Sequence, residues 1–187
     1  MAVAVPVEVP LPPQLQPGLG IPFGVELHQL DPVGGYEGHK GNKMLLGHAV
    51  AEGEKITMEE LPTWAEGVIN SEVAEEMAFA LLPRTTILSQ IFDEWSQSDN
   101  EFLAYAALMA AARSNIARDT DAILSTPDIL NRFATSRIIA QGVVALLAAA
   151  YDCDSEARKC VTEIISKLDE SPAANYVQEE MSWRMEF

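Results

Sequence analysis

The segment from Leu61 to Arg113 constrains the fold of this chain more than any other. It predicts successive helices, each about as apolar on its second face as on its first. A helix on the surface of a globular protein has one apolar stripe, whereas a helix within stacked layers buries two faces. The segment therefore predicts helix pairs packed in two layers.

The chain is long enough for one folded domain with a real core. It has 187 residues, of which 48% are hydrophobic, and nothing in the pattern requires a second domain. No apolar run reaches the roughly 18 residues of a membrane helix, and the N-terminal MAVAVPVEVPLPPQ lacks the basic start of a secretion signal. We therefore expect a cytoplasmic protein that does not associate with membranes.

The first forty residues differ in composition from the rest. They contain seven of the eleven prolines and six of the eleven glycines, which remove backbone donors and loosen the chain. We predict an extended Pro/Gly-rich arm over 1–41 and a helical repeat domain over 42–187. The arm either packs along a groove in polyproline conformation or is disordered, and the sequence leaves both open.

Several helix starts carry capping signals. The S/T-x-x-E spacing at Thr57 and at Ser98 predicts capping boxes completed by Glu60 and Glu101. Thr126 and Ser171 each precede a proline, which suits an N-cap followed by proline at the first helical position.

These starts divide the chain into helices, and no segment has convincing β alternation. We predict helices near 42–52, 58–69, 71–83, 86–97, 99–115, 119–134 with a break before Pro127, 137–151, 154–169 and 172–185. Inner helices beginning near 71, 99, 137 and 172 recur every 28 to 38 residues, as stacked helix hairpins do. Ala107 and Ala111, in FLAYAALMAAA, are expected to lie against neighbouring backbones. The predicted class is all-α, an α-α superhelix (a HEAT-like solenoid of antiparallel helix pairs).

The charge of the chain disfavours nucleic acid as a partner. The formal net charge is −16, and no basic residue lies between Lys55 and Arg84. That span contains six glutamates: Glu59, Glu60, Glu66, Glu72, Glu75 and Glu76. DNA-binding proteins gain affinity by neutralising phosphates with Lys and Arg. DNA binding therefore requires the nine basic residues from Arg84 to Arg184 to gather on one face. The six glutamates are typical of a solvated helix face when no partner binds them.

The sequence indicates neither a metal site nor a cofactor. Cys153 and Cys160, if on one helix, are roughly 10 Å apart, so we expect reduced thiols. His28, His39 and His48 lie in a glycine-rich region at spacings that match no ligand pattern. Neither G-x-x-x-x-G-K-[ST] nor G-x-G-x-x-G occurs, so no common nucleotide loop is present.

Four segments together resemble a known family. They are KMLLGHAVAEGEKIT, INSEVAEEMAFAL, FDEWSQSDNEFLAYAALMAAAR and SEARKCVTEIISKL, and the third contains W-x-x-S-x-N at Trp95, Ser98 and Asn100. The chain from about Lys43 onward is similar to the DNA alkylation repair proteins, HEAT-like helical repeats that include alkylpurine DNA glycosylases. The resemblance implies the HEAT-like fold.

The residues that carry the chemistry of that family are mostly replaced. Its enzymes place a Trp and an Asp one turn apart on a central helix, and an Arg pair after W-x-x-S-x-N. A Trp face attracts a cationic base, a carboxylate stabilises developing positive charge, and arginine binds phosphate. In this chain Ser71 is found at the position of the Trp and Glu75 at that of the Asp. Ala104 and Tyr105 are found at the positions of the two Arg. Only a carboxylate is kept.

We therefore expect a diverged, non-catalytic module whose concave face binds a protein or peptide, with Ser71, Glu75, Tyr105 and Arg113 as candidate binding residues. The alternative is a weak alkylpurine DNA glycosylase or DNA-lesion binder in which Glu75 is the candidate catalytic residue. An acidic groove favours the protein partner, and a basic groove favours DNA.

Overall fold

The computed structural model describes residues 56–186, and all regular structure within this range is helical. The all-α prediction is confirmed for these residues. The arm predicted over 1–41, the helix predicted at 42–52, and His28, His39 and His48 lie outside the described residues.

Residues 56–186 form nine α-helices. They are α1 (Leu61–Glu66), α2 (Ser71–Glu76), α3 (Leu88–Trp95), α4 (Glu101–Ala112), α5 (Thr120–Leu124), α6 (Thr126–Arg132), α7 (Arg137–Tyr151), α8 (Ser155–Lys167) and α9 (Pro172–Met185). A π-helix (Met77–Leu81) and a 3₁₀ turn (Leu82–Arg84) extend α2, and a second 3₁₀ turn (Asn115–Arg118) follows α4. None of the helices in this range is both long and apolar enough to span a bilayer.

The two caps predicted before prolines have different outcomes. The cap at Ser171 is confirmed, because its hydroxyl oxygen accepts from the backbone N–H of Ala174 at 3.1 Å and Pro172 opens α9. The cap predicted at Thr126 is wrong. Its buried hydroxyl donates to the carbonyl of Ile123 at 2.8 Å, because α5 ends immediately before α6 and its last carbonyls need donors.

The capping box predicted at Ser98 and Glu101 is also wrong. Asn100 is the N-cap of α4, and its side-chain oxygen accepts from the backbone N–H of Phe102 at 2.9 Å. The carboxylate of Glu101 accepts instead from the hydroxyl of Ser136 at 2.7 Å, which joins α4 to the start of α7. The carboxylate of Glu101, which the capping-box pattern assigned to the start of α4, therefore binds Ser136 instead.

The capping box predicted at Thr57 and Glu60 forms in part. The carboxylate of Glu60 accepts from the backbone N–H of Thr57 at 3.1 Å and from its hydroxyl at 3.3 Å. These contacts stabilise a turn, and α1 begins only at Leu61.

Four helices lie side by side in chain order: α2, α4, α7 and α9. Contacts between α2 and α4 show their relative direction, since Glu75 contacts Tyr105 and Phe79 contacts Arg113. Residue numbers rise together along both helices, so the two run parallel.

The same parallel order continues across α7. Glu101 near the start of α4 contacts Ser136 at the start of α7, and Leu108 further along α4 contacts Gly142. The guanidinium of Arg137, at the start of α7, lies 4.5 Å from the ring centroid of Tyr176 near the start of α9. The extensive packing of α9 on α7 thus begins at the start of both helices. We call these four parallel helices the row.

The remaining helices from α3 onward pack against the row. α3 packs on α4, and α6 and α8 pack on α7, whereas α5, which precedes α6 in the same connection, packs mainly on α8. Each of these elements connects one helix of the row to the next, so it returns the chain to the start of the following parallel helix. The chain therefore alternates between the row and a second set of helices.

The centre of the core is α4, which is buried on nearly every side. Ala107 and Ala111 have no exposed surface, so both are buried as expected of residues that pack against neighbouring helices. Gly142 allows α7 to approach closely, because a Cβ there would lie 3.1 Å from side-chain atoms of Leu108 and Tyr105. Small residues thus set the spacing between α4 and α7.

Candidate functional site

One face of α2 carries a group of charged and aromatic side chains. Glu72, Glu75, Glu76 and Phe79 follow at spacings of three, four and seven residues, which places them on one side of a helix. Glu72, Glu76 and Phe79 are exposed, and Glu75 is half-buried. We call these four residues the α2 face.

Tyr105 of α4 reaches the α2 face and binds Glu75. Its hydroxyl donates to Glu75 Oε1 at 2.9 Å. Tyr105 is only 4% exposed, and burial, followed by the hydrogen bond to Glu75 and the charge of Glu75, raises the pKa of Tyr105 to about 12. The phenol is therefore neutral at physiological pH and acts as a hydrogen-bond donor to the carboxylate.

Gly142 supports the position of Tyr105 from the other side. The Cδ2 atom of Tyr105 lies 3.1 Å from the point that a Cβ of residue 142 would occupy. The ring is therefore packed against the backbone of α7 while its hydroxyl extends to α2. The hydrogen bond therefore depends on the spacing of α2, α4 and α7.

The α2 face ends in a widened helical turn. Residues Met77–Leu81 form a π-helix, in which the N–H of Leu82 bonds the carbonyl of Met77. Such turns are rare and often occur at functional sites. Sequence reasoning missed it, because MAFAL consists of residues common in ordinary α-helices.

Phe79 projects from this π-helix, and Arg113 covers it. The guanidinium carbon of Arg113 lies 4.6 Å from the ring centroid, within the range of a cation–π contact. Phe79 is still 43% exposed. This contact joins the end of the α2 face to the C-terminal end of α4.

The candidate residues from the sequence are thus brought together only in part. Glu75 and Tyr105 are in contact, whereas Arg113 binds Phe79. Ser71 is the first residue of α2, one turn before Glu75, and is half-buried.

The two positions that the sequence resemblance assigned to arginines are interior. Ala104 has no exposed surface and Tyr105 very little. The alanine and the tyrosine present at these positions therefore offer no cationic group to a phosphate.

Many of the basic side chains bind groups of the fold itself. Four arginines lie over aromatic rings: Arg113 over Phe79, Arg132 over Phe133, Arg137 over Tyr176 and Arg158 over Tyr151. Lys167 pairs with Glu163 at 2.5 Å on α8. These five residues belong to α6, α7, α8 and the C-terminal end of α4, so they do not form a run along one helix.

The described residues offer no constellation for a metal ion, since no three His, Cys, Asp or Glu side chains cluster within 56–186. Cys153 and Cys160 are free thiols. Burial, with the charges of Glu163 and Glu156, raises the pKa of the Cys160 thiol.

Comparisons with protein families, with curated proteins and with solved structures find no match for this chain.

Proposed function

We propose that this chain is a diverged HEAT-like α-α superhelix of the DNA alkylation repair type that acts as a non-catalytic binding module. Its inner layer is the row of α2, α4, α7 and α9, and its partner is a protein or peptide. The parallel order of the row and the alternation of layers support this arrangement, because stacked antiparallel hairpins place every second helix in parallel.

The surroundings of Glu75 carry the proposal that the module is non-catalytic. Its carboxylate is bound by the Tyr105 hydroxyl at 2.9 Å. A carboxylate that stabilises positive charge on a sugar needs an aromatic or cationic grip on the substrate nearby. Ser71 and Ala104 are neither aromatic nor cationic, and the ring of Tyr105 is buried. The one exposed ring of the α2 face, that of Phe79, is already stacked with Arg113.

The charge of the α2 face favours a basic partner. Glu72 and Glu76 are exposed beside the half-buried Glu75, and the exposed ring of Phe79 offers apolar area. An acidic surface attracts a segment rich in Lys or Arg and repels a nucleic acid. The partner that fits is a basic peptide segment with an apolar or aromatic residue.

Selection from a displayed random peptide library against the full chain tests this proposal. We expect the selected peptides to combine Lys or Arg with an apolar residue. Fluorescence anisotropy with one such peptide then compares the wild type with a Glu72→Gln/Glu76→Gln variant. Loss of two exposed charges is expected to weaken binding about fivefold, roughly 1 kcal/mol.

A matched control removes two charges from the second layer. Asp93 and Glu94 are exposed on α3, so Asp93→Asn/Glu94→Gln changes the net charge equally. Binding by this control should stay close to that of the wild type. Equal losses in both variants, or selected peptides without basic residues, would contradict the proposal.

The alternative, a weak alkylpurine glycosylase or lesion binder, is favoured by one observation: Glu75 is half-buried and held in a fixed position by Tyr105. Base release from methylated duplex DNA distinguishes the two functions. We expect no release by the wild type. Release that disappears in Glu75→Gln would establish the alternative.

A further inference from the structure

A cavity opens where α4 and α7 end, beyond the α2 face. It is an open depression with a volume of about 470 Å³, and it is lined by Pro83, Ala112, Arg113, Ser114, Asn115, Ala117, Arg118, Ala149 and Cys153. Its size lies within the usual range of small-molecule sites. The lining residues include two arginines, a serine and an asparagine, and none of them is acidic.

Arg113 in this lining is held in place while its hydrogen-bond donors are kept. Its guanidinium stacks on Phe79 at 4.6 Å, and stacking uses the face of the group and leaves the N–H donors at its edge. An arginine fixed in this way loses little conformational freedom when it binds an anion.

The charge of Arg118 acts on Asp154, which lies outside the lining. Asp154 caps α8, accepting from the backbone N–H groups of Glu156 and Ala157 at 2.9 Å each. Those bonds lower the pKa of Asp154, and the charge of Arg118 lowers it further. Because Asp154 already serves its own helix, it competes with a ligand for Arg118 through charge alone.

The carbonyls at the two helix ends are already engaged. The carbonyl of Ala111 accepts from the hydroxyl of Ser114 at 3.1 Å, and that of Ala149 accepts from the thiol of Cys153 at 3.2 Å. One carbonyl near the C-terminal end of α4 and one near that of α7 therefore already have a side-chain donor beside the cavity.

We propose that this cavity is a binding site for a small molecule that carries a phosphate group. Arg113 and Arg118 bind the phosphate oxygens, with Asn115 as a further donor. Two guanidinium charges match a dianion, and phosphate monoesters carry about −1.5 to −2 charges at neutral pH. A carboxylate monoanion neutralises only one of them.

Calorimetric titration of the full chain with inorganic phosphate tests the site. We expect a dissociation constant of about 1 mM or tighter, and much weaker binding of acetate. Arg113→Gln and Arg118→Gln should each reduce the affinity at least about tenfold. Lys159→Gln removes an exposed charge on α8 that does not line the cavity, so it should bind phosphate like the wild type.

One variant should act in the opposite direction. Asp154→Asn keeps an N-cap side chain, since Asn caps helices as well as Asp does, and removes the charge that competes for Arg118. Its affinity for phosphate should increase about two- to fivefold.

The rate of thiol alkylation gives a second test that does not require the arginine variants. Phosphate should slow alkylation of Cys153, which lines the cavity, and leave alkylation of Cys160 unchanged. The proposal is overturned if phosphate does not bind, if Lys159→Gln loses as much affinity as the arginine variants, or if both thiols respond alike.

Discussion

The hydrogen bond between Tyr105 and Glu75 makes a quantitative prediction. Removing the hydroxyl in Tyr105→Phe leaves a half-buried carboxylate without its donor. A hydrogen bond to a charged group contributes about 1.5–3 kcal/mol, and access of water to Glu75 favours the lower part of that range.

The pKa of Tyr105 gives an independent limit. A rise from 10.0 to about 12 corresponds to at most about 2.7 kcal/mol, at about 1.36 kcal/mol per pH unit. Burial is the largest cause of the rise and does not involve Glu75, and solvent at Glu75 screens the rest. The coupling between the two side chains is therefore expected to be about 1–1.5 kcal/mol.

A double-mutant cycle measures that coupling. Urea unfolding of the wild type, Tyr105→Phe, Glu75→Gln and the double variant gives four free energies of unfolding. A coupling energy below about 0.3 kcal/mol, which is within the error of additivity, would refute the contact and the parallel placement of α2 and α4 that depends on it.

The pH dependence of stability provides a second test of the same contact. Because the folded pKa of Tyr105 lies above the unfolded value, its contribution is fully present below pH 10 and is lost as the pH rises from 10 towards 12. Between pH 9 and pH 11 the wild type should lose more stability than Tyr105→Phe. Equal losses would mean that Tyr105 titrates normally.

Three further substitutions test the packing and the helix start. Gly142→Ala places a Cβ 3.1 Å from Leu108. It should destabilise the fold by about 1–2 kcal/mol in thermal melts, although alanine has the better helix propensity. A stabilised variant would mean that α4 and α7 separate easily. Ala107→Leu should overpack α4 and cost about 1–3 kcal/mol, and unchanged stability would place this helix at the periphery. Asn100→Ala should cost about 1 kcal/mol by loss of the N-cap of α4, and circular dichroism melts that match the wild type would return the cap to Ser98.

Local sequence signals were sufficient for most helices. Apolar periodicity, together with the prolines at 127 and 172, gave boundaries close to those of α6, α7 and α9, because these signals depend on neighbouring residues alone. The caps at Ser98 and Thr126 were misassigned because competing groups decide them. Asn100 lies nearer to the start of α4 than Ser98 does, and the hydroxyl of Thr126 donates to the carbonyl of Ile123.

The candidate site was less accessible to sequence reasoning. The resemblance placed Glu75 and Tyr105 in one region, but their contact spans thirty residues and depends on the glycine at 142. The π-helix and the stacking of Arg113 on Phe79 arise from tertiary packing, which no local pattern records. The sequence also left open whether the basic residues gather on one face.

Chemical-shift mapping by NMR tests the central claim most directly. A selected basic peptide is titrated into the ¹⁵N-labelled full chain, and an equimolar methylated DNA duplex is titrated in a parallel experiment. We predict that the peptide perturbs the amides of residues 72–79 and of Arg113, which stacks on Phe79, and that the duplex leaves them unchanged. Perturbations confined to α3 and α8, or perturbation of residues 72–79 by the duplex alone, would contradict a peptide-binding row.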